Sequence, residues 1–337
     1  MMLHSSKKEN GHSKDEKNKP RDALEYIRTQ IATLGVIRKV RKKPKLLKLR
    51  SDFSLSGSLN RHGYHSPQQI GEGGCAFVYK VSKCDPDPPS STGSDDKDSR
   101  SDVVVAKVSK RSISNQCSQE RISWMSEVDI LSAINHVNVI QCLEFFHVGG
   151  HGVMMLEYVD GGDVYDVISQ SDSVDVNARS IICQILEGLD YLHGVKRIAH
   201  MDLKVENILL NKKGLVKICD FGSAVRVPEC GKIRTLGITT PSILPPEYIQ
   251  CDFCDPMACD MWSVGIIIYL FLAQKYPYGN GELAVIDLSI YRQTLDFSDV
   301  DKIEFESMIN LIRCCLEKIP KKRLTVKQAL QSPFFKL

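Results

Sequence analysis

The chain has 337 residues, 42% of them hydrophobic and 25% charged, which are the proportions of an ordinary soluble globular protein. The longest apolar run, 264–273, is too short to cross a bilayer. The polar, lysine-rich N-terminus lacks the apolar core of a signal peptide. We therefore expect no transmembrane segment, and a monomer located in the cytoplasm, with the nucleus as a second candidate compartment.

Charge divides the chain into two parts. Residues 1–65 contain 16 Lys/Arg and 6 Asp/Glu, whereas residues 66–337 contain 28 and 35. A basic tail therefore precedes a mildly acidic body. The 12 cysteines are scattered and mostly lie inside apolar runs, which indicates reduced thiols rather than a disulfide framework. Cys251 and Cys254 lack a second pair at zinc-ligand spacing, so we expect no zinc site.

Residues 1–63 are interpreted as a basic, largely disordered N-terminal extension. A helix is predicted within 20–35, where four apolar residues recur at helical spacing. The segment 36–50 that follows is densely basic. It is either a solvated arm, a nuclear-import signal, or a contact surface for an acidic partner, a nucleic acid or an acidic lipid. A further hypothesis is that it folds back on the acidic body. The sequence alone leaves these alternatives open.

Residues 64–337 have the element pattern of two lobes. The first, 64–159, reads as strands joined by a glycine turn, then one helix and further strands. A low-complexity insert, 84–102, interrupts this lobe and has too few apolar residues to bury itself. Helical periodicity dominates the second lobe, 160–337. A strand-rich part followed by a helix-rich part predicts an α+β protein.

A glycine-rich turn, IGEGGCAFV, lies between the first two strands. Gly71, Glu72, Gly73 and Gly74 would let the backbone approach a phosphate closely and point amides at it. Alone, such a turn is more often only a hairpin connection. The usual third glycine is Ala76, which adds one methyl group near the phosphates. The turn opens no helix, which argues against a dinucleotide-binding site.

Lys107 ends the apolar strand that begins at residue 103. Such a lysine is usually a surface residue with a buried aliphatic stem. An ion pair with Glu127, in the following helix, would instead hold its ammonium group against nucleotide phosphates. Glu120, two helical turns earlier, is the alternative partner. We prefer Glu127 because Ile130 and Leu131 follow it at a suitable distance.

Two short strings carry the strongest signal, HMDLKVEN at 200–207 and DFG at 220–222. Together with the glycine-rich turn and Lys107, they resemble in order and spacing the protein kinase superfamily, over about four fifths of the chain. The resemblance implies the bilobal protein kinase fold. Its N-lobe is small and mostly antiparallel β with one key helix, and its C-lobe is larger and helical. It also implies transfer of the γ-phosphoryl group of ATP, with Mg²⁺, to protein hydroxyls.

The resemblance assigns roles to polar residues of these strings. Asp202 would accept or orient the proton of the substrate hydroxyl, and Lys204 would neutralise charge on the transferring phosphoryl group. Asn207 and Asp220 would supply oxygen ligands to Mg²⁺. Lys204 indicates protein substrates with serine or threonine acceptors. Thr240 supports this, because it could touch both Asp202 and Lys204.

The resemblance also implies a nucleotide pocket. Val78, Ala106 and Leu209 would sandwich the adenine, and a hinge near Glu157–Val159 would bond it through the backbone. Asp163 would meet the ribose. For the apolar positions, plain core packing is equally compatible with the sequence.

Three structural contacts follow from the same resemblance. Glu247 would form an ion pair with Arg323, and Asp260 would hold the backbone of the catalytic loop. The third contact is a column of side chains that links the lobes, formed by Leu131, Leu143, His200 and Phe221.

Two residues depart from the family's pattern. Met201 replaces the arginine that normally precedes the catalytic aspartate. In the family that arginine is held by a phosphate on the activation segment, the stretch between the DFG string and Glu247. We therefore expect activity that depends little on phosphorylation of Ser223, Thr235 or Thr239. Cys219 would line the inner nucleotide site. It is interpreted as a small buried hydrophobe, with selective alkylation as the alternative.

Local strings resemble the Numb-associated kinases, and the region around Asp260 is more similar to the calmodulin-dependent kinases. This mosaic identifies no substrate. The main rival interpretation is a pseudokinase scaffold, which binds partners without catalysing transfer. A pseudokinase would have at least one broken catalytic position, whereas Lys107, Asp202, Asn207 and Asp220 are all present.

Overall fold

The computed structural model describes residues 55–83, 103–170, 178–235, 240–278, 294–301 and 303–336. The predictions for the chain before residue 55, including the helix at 20–35 and the basic segment 36–50, lie outside the described residues, as does the insert 84–102. Within the described ranges a strand-rich lobe is followed by a helical lobe. The predicted bilobal α+β fold is therefore confirmed.

The N-lobe is built on one antiparallel sheet of five strands, which are β1 (Tyr64–Glu72), β2 (Ala76–Lys83), β3 (Val103–Ser109), β4 (Cys142–Val148) and β5 (His151–Glu157). Their order in the sheet is β1-β2-β3-β5-β4. The register places Val78 opposite Lys107, and Ala106 opposite Met155. Because side chains alternate along a strand, Lys107 and Ala106 point to opposite faces of the sheet.

A helix packs on each face of this sheet. Helix α1 (Leu55–Arg61) covers the face that carries Ala106, and Leu59 is completely buried there. Helix α2 (Ser118–Ser132) packs against the other face. It begins with a capping box in which the Cys117 thiol accepts from the Glu120 amide and the Glu120 carboxylate accepts from the Cys117 amide.

Helix α1 lies inside the stretch that the sequence assigned to the N-terminal extension, so the structure differs from the expectation at these residues. The helix has only Leu55 and Leu59 as large apolar residues, and a face of two residues is too short to register as periodicity. Its end is fixed to β4, because the His62 ring stacks on Phe146 with centroids 3.7 Å apart.

The C-lobe is mainly helical. Its helices are α3 (Val164–Gln170), α4 (Ala178–Asp190), α5 (Pro246–Gln250), α6 (Pro256–Ala273), α7 (Glu306–Cys315) and α8 (Val326–Leu330). Three short antiparallel pairs hold the connecting segments, β6 (Ile198–Ala199) with β9 (Val225–Arg226), β7 (Ile208–Leu210) with β8 (Val216–Ile218), and β10 (Ile233–Arg234) with β11 (Phe253–Cys254). The HMDLKVEN string lies mainly between β6 and β7, and the DFG string follows β8.

Helix α6 is the centre of the C-lobe core. The Asp255 carboxylate caps its N-terminus by accepting from the amides of Met257 and Ala258, and Pro256 occupies the first helical position. Within the described part of the chain, it is the one helix long and apolar enough for a membrane span, yet 83% of it is buried in the fold. Core packing accounts for its apolar character.

The packing of α1 generates a prediction. Leu59→Ala should lower the free energy of unfolding by about 2–5 kcal/mol, because it removes a fully buried side chain and leaves a cavity. Ser56→Ala, on the exposed side of the same helix, is the matched control and should change stability little. Urea or thermal unfolding measures both variants, and equal stability of the two would contradict an integral role for α1. A deletion that probes the basic tail should accordingly stop before Leu55.

Candidate active site

Three charged side chains from separate elements meet in the cleft. The Lys107 ammonium, on β3, lies 2.5 Å from Glu127 Oε1 on α2 and 2.9 Å from Asp220 Oδ1 on the turn after β8. Glu120, the alternative partner, instead pairs with Arg111 at 3.2 Å. The structure therefore joins Lys107 to the partner that the sequence analysis preferred.

The electrostatics of this group keep it charged. Burial opposes the charged form of Lys107, but the Glu127 and Asp220 carboxylates outweigh burial and raise the pKa of Lys107. The Lys107 ammonium in turn lowers the pKa of Asp220. Burial raises the pKa of Glu127, and the Lys107 ammonium acts against that shift. The directions for Lys107 and Asp220 thus favour a charged ammonium–carboxylate pair in the cleft.

Asp202 is the centre of a second polar group. Its Oδ1 accepts from the Thr240 hydroxyl at 2.7 Å, and its Oδ2 lies 2.8 Å from the Lys204 ammonium. Lys204 also donates to Thr240 Oγ1 at 2.8 Å. The Asn207 side-chain amide donates to Asp202 O at 2.8 Å and to Oδ2 at 3.1 Å. Thr240 therefore touches both Asp202 and Lys204.

The backbone before Asp202 is held by a buried carboxylate. Asp260, on α6, is completely buried and accepts from the amides of His200 and Met201, each at 2.8 Å. Its Oδ2 also lies 2.7 Å from His193 Nε2. Met201 has a φ of 64°, in the left-handed region that non-glycine residues adopt only when their surroundings impose it. The predicted grip of Asp260 on the catalytic loop is present.

The predicted ion pair between Glu247 and Arg323 is also present. Arg323 Nη1 and Nη2 donate to the two Glu247 oxygens at 2.6 and 3.0 Å. Arg323 donates further to Ala258 O at 2.7 Å, and its guanidinium lies 5.0 Å from the centroid of the Trp262 ring. These contacts tie helix α5, which contains Glu247, to the centre of the C-lobe.

A cleft of about 1020 Å³ runs between the lobes and brings most of the predicted site residues together. Its roof is the glycine-rich turn, and its inner end holds Lys107, Glu127 and Asp220. Predicted residues that line it are Gly71, Glu72, Gly73, Gly74, Ala76, Val78, Lys107, Glu127, Glu157, Val159, Asp163, Asn207, Leu209, Cys219 and Asp220. Asp202, Lys204 and Thr240 form their cluster in the neighbouring catalytic loop and activation segment.

The donor set at the cleft fits a hard divalent cation. Asn207 uses its side-chain nitrogen to bond Asp202, which leaves its side-chain oxygen for a metal. Asp220 contributes a carboxylate that is half exposed to the same cleft. Oxygen ligands of this kind suit Mg²⁺.

Ala106 is a correction. It is completely buried on the face of β3 that packs under α1, where it opposes Tyr79 and Met155. Val105 lines the cleft in its place. Lys107 faces the cleft, so the strand alternation puts residue 105 beside it and residue 106 behind it. The prediction of Ala106 as an adenine contact was wrong by one residue.

Leu143 is a second correction of the same kind. Its side chain is 47% exposed, whereas Cys142 packs against the main core. Two other members of the predicted column that links the lobes do meet. The His200 and Phe221 rings lie edge to face with centroids 4.9 Å apart. The strand position that faces inward on β4 is therefore 142, not 143.

Sequence reasoning missed two ion pairs that shape the cleft. Lys110 lies 2.5 Å from Glu72, which fixes the glycine-rich turn to the end of β3. Lys217, on β8, lies 2.7 Å from the hinge residue Glu157. Both pairs join residues distant in sequence, and no local pattern identifies such partners.

Met201 packs in an apolar cluster rather than binding a charged group. Its side chain is 7% exposed. The backbone of the activation segment is held nearby, because β10 pairs with β11 and the Thr235 hydroxyl donates to Cys251 O at 2.7 Å. The buried members of the cluster are Ala199, Met201, Val227, Tyr248, Cys254 and Cys259.

Comparison with known proteins agrees with this geometry. Residues 64–335 match the family described as protein kinase domain. A cleft between a five-stranded lobe and a helical lobe, with a lysine, an asparagine and two aspartates in the family's order, defines the class. The chain belongs to the protein kinase family.

Several kinases are similar to the chain. Protein kinase domain-containing protein ppk9 of Schizosaccharomyces pombe is 32% identical over 68% of this chain and 43% of its own length. Serine/threonine-protein kinase cds1 of the same species is 31% identical over 68% of this chain and 51% of its own length. Death-associated protein kinase 2 of Homo sapiens is 34% identical over 62% of this chain and 57% of its own length. The chain thus spans about half the length of these relatives.

The apolar setting of Met201 generates a prediction. A variant with Ser223, Thr235 and Thr239 all changed to Ala should keep more than half of the wild-type turnover. The reason is that the described residues 233–235 are held by backbone pairing with β11 and by the Thr235 hydroxyl, and that Met201 offers no positive charge to a phosphate. Thr239 itself lies outside the described residues. Radiolabelled phosphoryl transfer, with phosphatase-treated wild type as the control, measures the effect. A near-total loss of turnover would contradict the interpretation.

The environment of Cys219 generates another prediction. Burial, followed by the neighbouring Asp220 carboxylate, raises the pKa of its thiol to about 12, so almost no thiolate exists at pH 8. Iodoacetamide should therefore label the exposed Cys230 of the folded protein and leave Cys219 unlabelled, while urea should expose both. Peptide mass spectrometry measures the two sites. Labelling of Cys219 as fast as Cys230, blocked by ATP, would restore the alkylation hypothesis.

Proposed function

We propose that the chain is an ATP-dependent protein serine/threonine kinase that transfers the γ-phosphoryl group of Mg-ATP to hydroxyl groups of protein substrates. The observation that carries the proposal is the convergence of Lys107, Asp220 and Asn207 on one cleft, with Asp202 bonded to Asn207. Lys107 and Asp220 would supply charge beside the phosphates. Asp202 would lie where the acceptor hydroxyl enters.

Each residue of the cleft contributes a separate action. The amides of the glycine-rich turn and the Lys107 ammonium bind and orient the phosphates. Glu127 holds that ammonium in place at 2.5 Å. Asn207 and Asp220 would hold Mg²⁺, which, when bound, neutralises phosphate charge and orients the transferred group. The apolar side chains of Val78, Val105 and Leu209 would enclose the adenine.

The catalytic loop acts on the acceptor. Asp202 accepts or orients the proton of the incoming hydroxyl, and Lys204 stabilises the charge that develops on the transferred phosphoryl group. Lys204 and Thr240 both bond Asp202 and each other, so they fix the Asp202 carboxylate in one orientation. This three-residue contact supports serine or threonine as the acceptor.

The alternative is a pseudokinase scaffold. It would bind nucleotide or a partner protein without transfer, and it would need a defect at one of the catalytic positions. Lys107 and Asp220 are 2.9 Å apart, and Asp202 is bonded by three side chains. This arrangement supports an enzyme over a scaffold.

The basic segment 36–50 is proposed to contact an acidic partner, which could be a protein, a nucleic acid or an acidic lipid. Its charge is the support for this, because the segment lies outside the described residues. A monomer located in the cytoplasm, with access to the nucleus, is also proposed. The polar, lysine-rich N-terminus supports the cytoplasm, and the basic segment 36–50 supports the nucleus.

The proposed function generates a direct test. Asp202→Asn should lower kcat by about 10²–10⁴-fold, since it removes the base that orients the acceptor proton. Transfer from [γ-³²P]ATP to an arrayed serine/threonine peptide library measures this, and thermal stabilisation by Mg-ATP should remain. Asp129→Asn, at an exposed position of α2, is the matched control. A wild-type protein that is stabilised by Mg-ATP yet transfers no phosphate would favour the pseudokinase.

A further inference from the structure

Helix α2 makes a second contact with the turn that follows β8. Ser123 lies four residues before Glu127, so the two side chains share one face of the helix. The Ser123 hydroxyl donates to the carbonyl oxygen of Gly222 at 2.9 Å. Ser123 is exposed and lines the same cleft as Glu127 and Asp220. The helix therefore contacts the DFG turn directly through the Ser123 hydroxyl, in addition to the bridge from Glu127 through Lys107 to Asp220.

The two links from helix α2 reach the turn two residues apart. Glu127 reaches Asp220 through the Lys107 ammonium, and Gly222, two residues on, accepts from the Ser123 hydroxyl. A Cβ atom on Gly222 would lie only 3.5 Å from Asp220 Oδ1 and 3.7 Å from Glu127 Oε2. Gly222 thus lies near the two carboxylates that flank Lys107. Because Gly222 is only two residues from Asp220, a hydrogen bond to its carbonyl restrains the turn that carries Asp220.

The setting of Met201 increases the importance of this contact. A side chain buried in an apolar cluster offers no charge by which the activation segment could orient the turn. Orientation of the turn must then come from neighbours that touch it directly. Helix α2 is such a neighbour, and Ser123 supplies its hydroxyl donor to the turn.

We propose that Ser123 is a positioning residue of the reaction, whose hydrogen bond to the Gly222 carbonyl holds α2 and the Asp220 turn in register. The inference rests on the proposed kinase function. It adds to that function a residue that acts through Asp220. Loss of the hydroxyl should leave the fold intact and reduce the fraction of molecules in which Lys107, Glu127 and Asp220 meet.

The kinetic test compares three variants with the wild type. Ser123→Ala should lower kcat about three- to tenfold, the range expected for one hydrogen bond. Ser123→Thr keeps the hydroxyl and should recover at least half of the loss. Ser132→Ala, exposed at the far end of the same helix, should match the wild type. Equal turnover of Ser123→Ala and wild type would overturn the proposal, and so would failure of Ser123→Thr to recover activity.

A structural readout separates positioning from general destabilisation. The chain has two tryptophans, and Trp124 follows Ser123 on α2, whereas Trp262 lies in the C-lobe core. In protein labelled with 5-fluorotryptophan, Ser123→Ala should shift or split the ¹⁹F resonance of Trp124 and leave that of Trp262 unchanged. An unchanged Trp124 resonance, or equal changes in both, would contradict the proposal. A wild-type protein without transfer activity would instead refute the proposed function, because the resonances are measured without turnover.

Discussion

The ammonium group of Lys107 is bracketed by two carboxylates from elements that are far apart in the chain. A buried charge is unfavourable unless partners compensate it at short distance, and Glu127 and Asp220 lie 2.5 and 2.9 Å away. Strand β3, helix α2 and the turn after β8 must therefore be in place together. Because α2 belongs to the N-lobe and the turn to the C-lobe, this one contact fixes the geometry of the cleft.

A second buried carboxylate performs the same task for the catalytic loop. Asp260 accepts from two backbone amides and lies beside His193, so its burial is compensated by hydrogen bonds. Its partners in the loop are main-chain groups at 200 and 201. The bonds from Asp260 to the loop therefore do not require a particular side chain at 201. This explains how a methionine can replace the family's arginine without disturbing Asp202.

The sequence predicted those parts of the site that are short, ordered strings, and it failed where the answer depends on which way a strand faces. Lys107, Asp202 and Asp220 are recognisable because charged residues at fixed spacing are rare. Ala106 and Leu143 were predicted where the fold places Val105 and Cys142. All four are plausible core residues, and an error of one residue moves a strand side chain to the other face. Only the register of β3 and β4 in the folded sheet resolves this choice.

Helix α1 was missed for a related reason. Two leucines four residues apart carry no periodic signal, and their burial depends on a sheet face formed by strands much later in the chain. The pairs of Lys110 with Glu72 and of Lys217 with Glu157 are likewise products of the tertiary fold. Local pattern determines which elements form, but side-chain partners across elements are set by packing.

The apolar cluster around Met201 has a consequence for control of the enzyme. A charged anchor can be added or removed by a modification, whereas packing of Met201 with Val227, Tyr248 and Cys254 depends only on buried area. Backbone pairing of β10 with β11 has the same constitutive character. Control that acts on this chain must then work on a contact that can open at low free-energy cost. The hydrogen bond from Ser123 to the Gly222 carbonyl is such a contact, because it is exposed and involves one neutral donor and one carbonyl.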